Sequence, residues 1–108
     1  MPTAEEISSA YTSVLNSINL ALRSVEDPVE INTLLTEYTA AQQAYAKLIA
    51  GAINVVDNTI ANLSGRLNEA TKILDQGIQD ADSLKGYLNT IATAVALLAK
   101  LALFVAAL

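Results

Sequence analysis

The C-terminal stretch of the chain constrains its fold more than any other feature. Residues 84–108 carry two lysines and no acidic residue, and from Ala94 onward every residue except Lys100 is apolar. A helix that is apolar on all sides is not stable alone in water. We therefore expect this segment to be buried in a lipid bilayer, in the groove of a helical protein partner or in the core of an oligomer.

The length of this segment does not decide between those environments. The run that begins at Ala94 is shorter than the roughly 18–20 residues expected for a membrane span. Counted from Tyr87, the helix would be about 33 Å long at ~1.5 Å per residue, which is enough to cross a bilayer. That longer stretch also contains Asn89, Thr93 and Lys100, which are costly in lipid.

The large apolar side chains of this segment are the candidate association or membrane-facing residues. They are Leu84, Leu88, Ile91, Val95, Leu97, Leu98, Leu101, Phe104, Val105 and Leu108.

Capping signals divide the rest of the chain into helices within a single domain, 1–108. Thr3 fits a helix N-cap, and apolar residues at alternating spacings of four and three predict a first helix over about 4–25. Asp27 followed by Pro28 predicts a break and a new N-cap, with a second helix over about 28–63. Gly65 predicts a C-terminal cap and a turn at 64–65, with a third helix over about 66–108.

The fold class expected is all-α, a short N-terminal helix followed by a long antiparallel helical hairpin. From Ile49 to Val105, nonpolar residues alternate by four and three without interruption. This seven-residue repeat is typical of coiled-coil-like packing. Gly77, Asp82-Ser83 and Gly86 are weaker candidates for the turn, and without any turn the chain would form one helix of about 80 residues, roughly 120 Å long.

Composition excludes several classes of function. The net charge of −5 leaves no basic patch for nucleic acid. The chain has no Cys and no His, so the usual thiol nucleophile, general base and imidazole metal ligand are missing. We predict no enzymatic activity, no cofactor, no metal and no small-molecule substrate. The acidic, polar N-terminus also predicts no cleavable signal peptide, which leaves membrane association and signal-independent export open as locations.

Two tyrosines of the second helix, Tyr38 and Tyr45, lie one heptad apart. The favoured interpretation is that they are partly buried core residues with their hydroxyls at the surface. The alternative is an aromatic association surface.

Part of the chain resembles the subunits of type III secretion needles and inner rods. The resemblance is carried by Asp27-Pro28, by Leu35-Thr36-Glu37-Tyr38-Thr39 and by Asn58-Thr59-Ile60-Ala61-Asn62-Leu63. It implies a small helical hairpin that assembles into a filament without a signal peptide. The apolar arm after Gly65 departs from that family's pattern.

Taken together, the sequence predicts a non-catalytic, self-associating helical protein whose C-terminal helix is buried in a homo-oligomer, a filament or a membrane. The alternatives are a membrane-inserting protein, either tail-anchored or pore-forming, and a secretion-filament subunit.

Overall fold

The computed structural model describes residues 4–50, 58–77 and 83–107, with side chains over 6–49, 61–77 and 83–104. Throughout these residues the regular structure is α-helical. The helices are α1 (Ala4–Ser24), α2 (Pro28–Ala50), α3 (Asn58–Asp75) and α4 (Leu84–Ala107).

The first two helices begin and end where their local chemistry dictates. α1 buries one stripe along its length, including Ile7, Val14 and Ile18, as its periodicity predicted. Asp27 is the N-cap of α2, because the N–H of Val29 donates to its Oδ1 at 2.9 Å. Thr3, the other predicted N-cap, lies outside the described residues.

The turn predicted at 64–65 is wrong, because α3 runs straight through Ser64 and Gly65. Gly65 lies between Ser64 and Leu67, which are both buried on one face of this helix, as is Leu74. The packing of these side chains keeps Gly65 in helical conformation. The helix ends at Asp75 instead and is capped by Gly77, where φ is +76° and the N–H donates to the Leu74 carbonyl oxygen at 3.0 Å. A glycine in the left-handed region is a common way to end a helix.

The four helices alternate in direction. α1 and α2 are antiparallel neighbours, and the rings of Tyr11 and Tyr45 stack with their centroids 4.1 Å apart. The first halves of α2 and α4 line a common groove, and the C-terminal half of α3 lies beside the first half of α4. The order around the bundle is therefore α1, α2, α4, α3.

This arrangement corrects the predicted hairpin. α3 runs in the direction opposite to α2, so the predicted single helix over 28–63 is wrong. The predicted single helix over 66–108 is also wrong, because α3 ends at Asp75 and α4, which begins at Leu84, runs back in the opposite direction. Among the described residues α2 and α3 lie on the long diagonal of the bundle without close backbone contact, whereas α1 and α4 meet across the short one. The predicted heptad run does not continue through the turn at Gly77, and its first member, Ile49, is exposed.

α4 packs against all three other helices. Ile91, Leu98 and Leu101 are completely shielded from solvent, while Ala92, Ala96 and Lys100 face outward. The chain itself thus covers one face of the helix that is apolar on almost every side in sequence, 44% of its most apolar window. Burial of apolar area at about 25 cal/mol per Å² makes this packing a large stabilising contribution.

Two glycine substitutions distinguish the observed end of α3 from the predicted one. Gly65→Ala should stabilise the protein by about 0.5–1 kcal/mol, because the new Cβ meets nothing within 4 Å and alanine favours a helix. Gly77→Ala should destabilise it by about 1–2 kcal/mol, because an L-residue is strained at φ +76°. Urea denaturation measures both, and opposite signs would place the turn at 64–65.

Two leucine truncations in α4 test its place in the bundle. Leu98→Ala should lower the free energy of unfolding by about 2–5 kcal/mol, since it opens a cavity in a closed core. Leu103→Ala, at a side chain that is 66% exposed, should change it by less than about 0.5 kcal/mol. Equal losses from the two substitutions would mean that α4 does not pack in this orientation.

Candidate interaction surface

Those residues predicted for association whose side chains the structure describes lie in the core of the bundle or pack against it. Ile91, Val95, Leu97, Leu98 and Leu101 are buried within the bundle. Leu84, Leu88 and Phe104 are half-buried and pack against that core. The side chain of Val105 and all of Leu108 lie outside the described residues. As placed in this bundle, these side chains pack against the chain's own helices and line no common outer face.

A different part of the surface has the composition of an interface. We call it the α1/α2 face, the side of these two helices that is turned away from α3 and α4. Its members carry no charge, and they are Ser8, Tyr11, Thr12, Leu15, Asn19 and Leu22 of α1 with Ile31, Leu35, Tyr38, Thr39, Gln42, Tyr45, Ala46 and Ile49 of α2.

The charged residues of α1 and α2 lie outside this face. Between Glu6 and Arg23, α1 has no charged residue at all. Between Glu30 and Lys47, α2 has only Glu37, which points to the opposite side and lines the groove with α4. Charge depletion with aromatic enrichment is the compositional mark of the centre of a protein interface.

Tyrosines and aliphatic side chains supply the contact area. The rings of Tyr11 and Tyr45 are nearly parallel, at an interplanar angle of 7°, and both are half-buried, as is Tyr38. Leu35, at 51% exposed, and Ile49, at 58%, present apolar surface to solvent beside them. The favoured interpretation of Tyr38 as a partly buried residue packed on the core agrees with this geometry.

The threonine hydroxyls on this face are already hydrogen-bonded within their own helices. Thr12 Oγ1 donates to the Ser8 carbonyl oxygen at 3.0 Å, and Thr39 Oγ1 donates to that of Leu35 at 3.2 Å. Thr36, just beside the face, makes the same bond to Asn32 at 2.9 Å. Because these donors are satisfied, covering the face with another apolar surface costs less than its polar composition suggests.

Burial raises the pKa of Tyr11 above its ordinary value of 10.0, with smaller contributions from the nearby Tyr38 and Tyr45 hydroxyls. The neutral phenol is therefore the form that the folded protein favours. Burial likewise raises the pKa of Glu37 on the other side of α2.

Neither this face nor the rest of the described chain offers a metal centre. Within residues 4–50, 58–77 and 83–107, no three His, Cys, Asp or Glu residues come together in a way that could hold an ion.

Comparison with known proteins finds no matching family model, no matching curated protein and no matching solved structure. The resemblance to secretion needle and rod subunits implied a hairpin built from residues 27–63. In the structure α2 and α3 lie across the bundle diagonal and do not pack against each other. The described parts of that segment therefore do not form the hairpin.

The α1/α2 face could have been found in the sequence from one signal. The two stretches, residues 7–22 and 31–46, are each about four turns long, carry only one charged residue between them, Glu37, and contain three of the four tyrosines. What the sequence could not supply is that these stretches lie side by side.

Tyr11→Phe should make the protein less sensitive to alkaline pH. A group whose pKa is raised on folding contributes stability below its ordinary value of 10.0, and this stability is lost as the pH rises through the raised pKa. Urea denaturation between pH 8 and about 11 should show a smaller loss for the variant than for the wild type. Identical pH profiles would show that Tyr11 ionises as freely in the folded state as in the unfolded chain.

Proposed function

We propose that the protein is a non-catalytic helical module that associates with a second copy of itself through the α1/α2 face. The observation that carries the proposal is the uncharged, tyrosine-containing surface formed by α1 and α2, with Leu35 exposed on it. One face meeting the same face on another copy gives a closed two-fold dimer.

The charge distribution favours this face over the others. Each copy has a net charge of −5, so two copies repel one another at long range. A face without charged side chains is where they can meet without desolvating like charges against each other. The described side chains of the other faces include exposed charges, such as Arg66 and Glu69 on α3 and Lys100 on α4.

The size of the face fits a weak, reversible contact. Each helix contributes about 16 residues, or about 24 Å of length at ~1.5 Å per residue. Two adjacent helices about 10 Å apart make the face roughly 20 Å wide. Two copies would together bury about 1,000 Å², which is near the lower limit for specific interfaces.

A second candidate function is insertion into membranes. The observation in its favour is that Leu84–Phe104 is long and apolar enough to cross a bilayer, with a mean hydropathy of 1.6. In the bundle, 44% of that window is buried. Insertion would require α4 to leave α1, α2 and α3 and expose their apolar faces, so we favour association between folded copies.

A matched pair of charge insertions tests the dimer. Leu35→Glu should weaken association about tenfold or more, because it buries an unpaired carboxylate within the interface. Ile73→Glu, at a similarly exposed residue on α3 (54%), should leave association unchanged. Sedimentation equilibrium at about 10–100 μM measures both, with circular dichroism to show that each variant is folded.

Two results would contradict the proposal. One is a wild-type protein that stays monomeric over this concentration range, and the other is an equal effect of the two substitutions. Flotation with phosphatidylcholine vesicles distinguishes membrane insertion from dimerisation. An inserted chain would rise with the lipid, whereas a folded dimer stays in the aqueous phase.

A further inference from the structure

Glu37 places an ionisable group in the contact between α2 and α4. Its side chain is half-buried and lines the groove between the first halves of these helices, beside Leu34, Leu88 and Asn89. One of its carboxylate oxygens, Oε2, is shielded from solvent and has no hydrogen-bond partner among the described residues. Burying such an oxygen costs much more free energy when the carboxyl group is ionised than when it is neutral.

The described part of α4 presents no positive charge to this carboxyl group. The residues of α4 that line the groove are Leu88, Asn89 and Ala92, and all three are uncharged. The two lysines of α4, Lys85 and Lys100, are exposed and lie outside the lining of the groove. The ionised carboxylate of Glu37 therefore gains no partner from the helix against which it packs.

α2 itself supplies no compensating group. The Thr33 hydroxyl donates to the Val29 carbonyl oxygen at 2.9 Å, so its proton is already used. Glu30, one heptad earlier and lining the same groove, is exposed and acidic. Burial accordingly raises the pKa of Glu37 above its ordinary value of 4.5.

The ionisable groups of α1 and α3 lie away from Glu37. In α1 the charged residues are confined to the two ends, and Tyr11 stacks on Tyr45 on the α1/α2 face. The described charges of α3, which include Arg66 and Glu69, belong to a helix that makes no close backbone contact with α2. The environment of Glu37 is thus set by the α2/α4 contact alone.

We propose that Glu37 is a pH-sensitive contact that holds α4 in the bundle more firmly when it is protonated than when it is ionised. The neutral carboxyl group can stay between Leu34 and Leu88 at little cost. The carboxylate must either remain desolvated or turn outward to water, and both outcomes weaken the packing of α4 on α2. This contact lies on the side of α2 away from the α1/α2 face and does not depend on the dimer.

The direction of the pH dependence follows from the environment of the carboxyl group. The stability that protonated Glu37 contributes is fully present below its ordinary pKa of 4.5 and is lost as the pH rises through the raised pKa of the folded protein. Mild acid should therefore tighten this contact. Because α4 is long and apolar enough to cross a bilayer, the same group sets how readily that helix leaves the bundle as the pH changes.

A carbon-13 titration of the glutamate carboxyl groups in the full-length protein measures the proton affinity directly. The carboxyl carbon of Glu37 should titrate at a higher pH than those of the exposed Glu30 and Glu69. Titration of all three carboxyl groups over the same pH range would overturn the proposal.

Substitutions show whether this proton affinity acts on α4. At about pH 7.5, Glu37→Gln, which resembles the protonated carboxyl group, should slow the amide exchange of Leu98 severalfold relative to the wild type after correction for intrinsic exchange. The difference should shrink toward about pH 5. Glu37→Leu should act in the same direction, which covers the case in which the glutamine amide packs poorly.

Glu30→Gln is the matched control, because it removes the same charge from the same helix. Glu30 is exposed and lies in the first turn of α2, where a negative charge favours the helix. This substitution should therefore not slow the exchange of Leu98 at either pH.

Three exchange results would contradict the proposal. They are equal exchange of Leu98 in the wild type and both Glu37 variants at about pH 7.5, equal slowing by Glu30→Gln, and a slowing by Glu37→Gln that is as large at about pH 5. Every variant keeps the α1/α2 face, so failure of the dimer would alter none of these comparisons.

Discussion

The burial of α4 against the other three helices is the contact on which the rest of the structure depends. α4 contributes more large apolar side chains to the closed core than any other described helix, including Ile91, Leu98 and Leu101. α1, α2 and α3 each have one apolar face and one polar face, and all three apolar faces turn toward α4. Without α4 much of these faces would be exposed to water, and helices in proteins are stabilised mostly by the packing of an apolar face rather than by propensity.

This contact also determines which surfaces remain for binding. Because the most apolar helix is occupied inside the bundle, its exposed residues are mostly small or polar, such as Ala92, Ala96 and Lys100. The features that suggest function lie instead on the two sides of α2. The side toward α1 is uncharged and rich in tyrosine, whereas on the side toward α4 one carboxylate oxygen of Glu37, Oε2, is buried without a hydrogen-bond partner in the described part of the chain. α2 can expose both of these sides, since only one stripe of the helix packs into the core.

The sequence predicted the local features of the fold better than its topology. The all-α class is confirmed, and the stripe of α1 and the break at Asp27-Pro28 follow from short-range periodicity and capping, which act within a few residues. The choice between Gly65 and Gly77 depends on tertiary contacts, because Ser64 and Leu67 become buried only when α3 meets α1. The expectation that the C-terminal segment needs an external partner had a similar origin. Residues 84–108 lack a polar face when considered alone, but in the bundle Ile91, Leu98 and Leu101 are covered by the preceding helices, while Leu103 stays 66% exposed.

Amide hydrogen exchange of α4 is the most direct test of this account. In dilute, lipid-free buffer, the amides of Ile91, Leu98 and Leu101 should be among the slowest in the protein and should exchange only through global unfolding. Their exchange should not change when phosphatidylcholine vesicles are added. Rapid exchange of these amides in buffer, with protection appearing only after vesicles are added, would contradict the account and show that α4 is buried by lipid rather than by the chain itself.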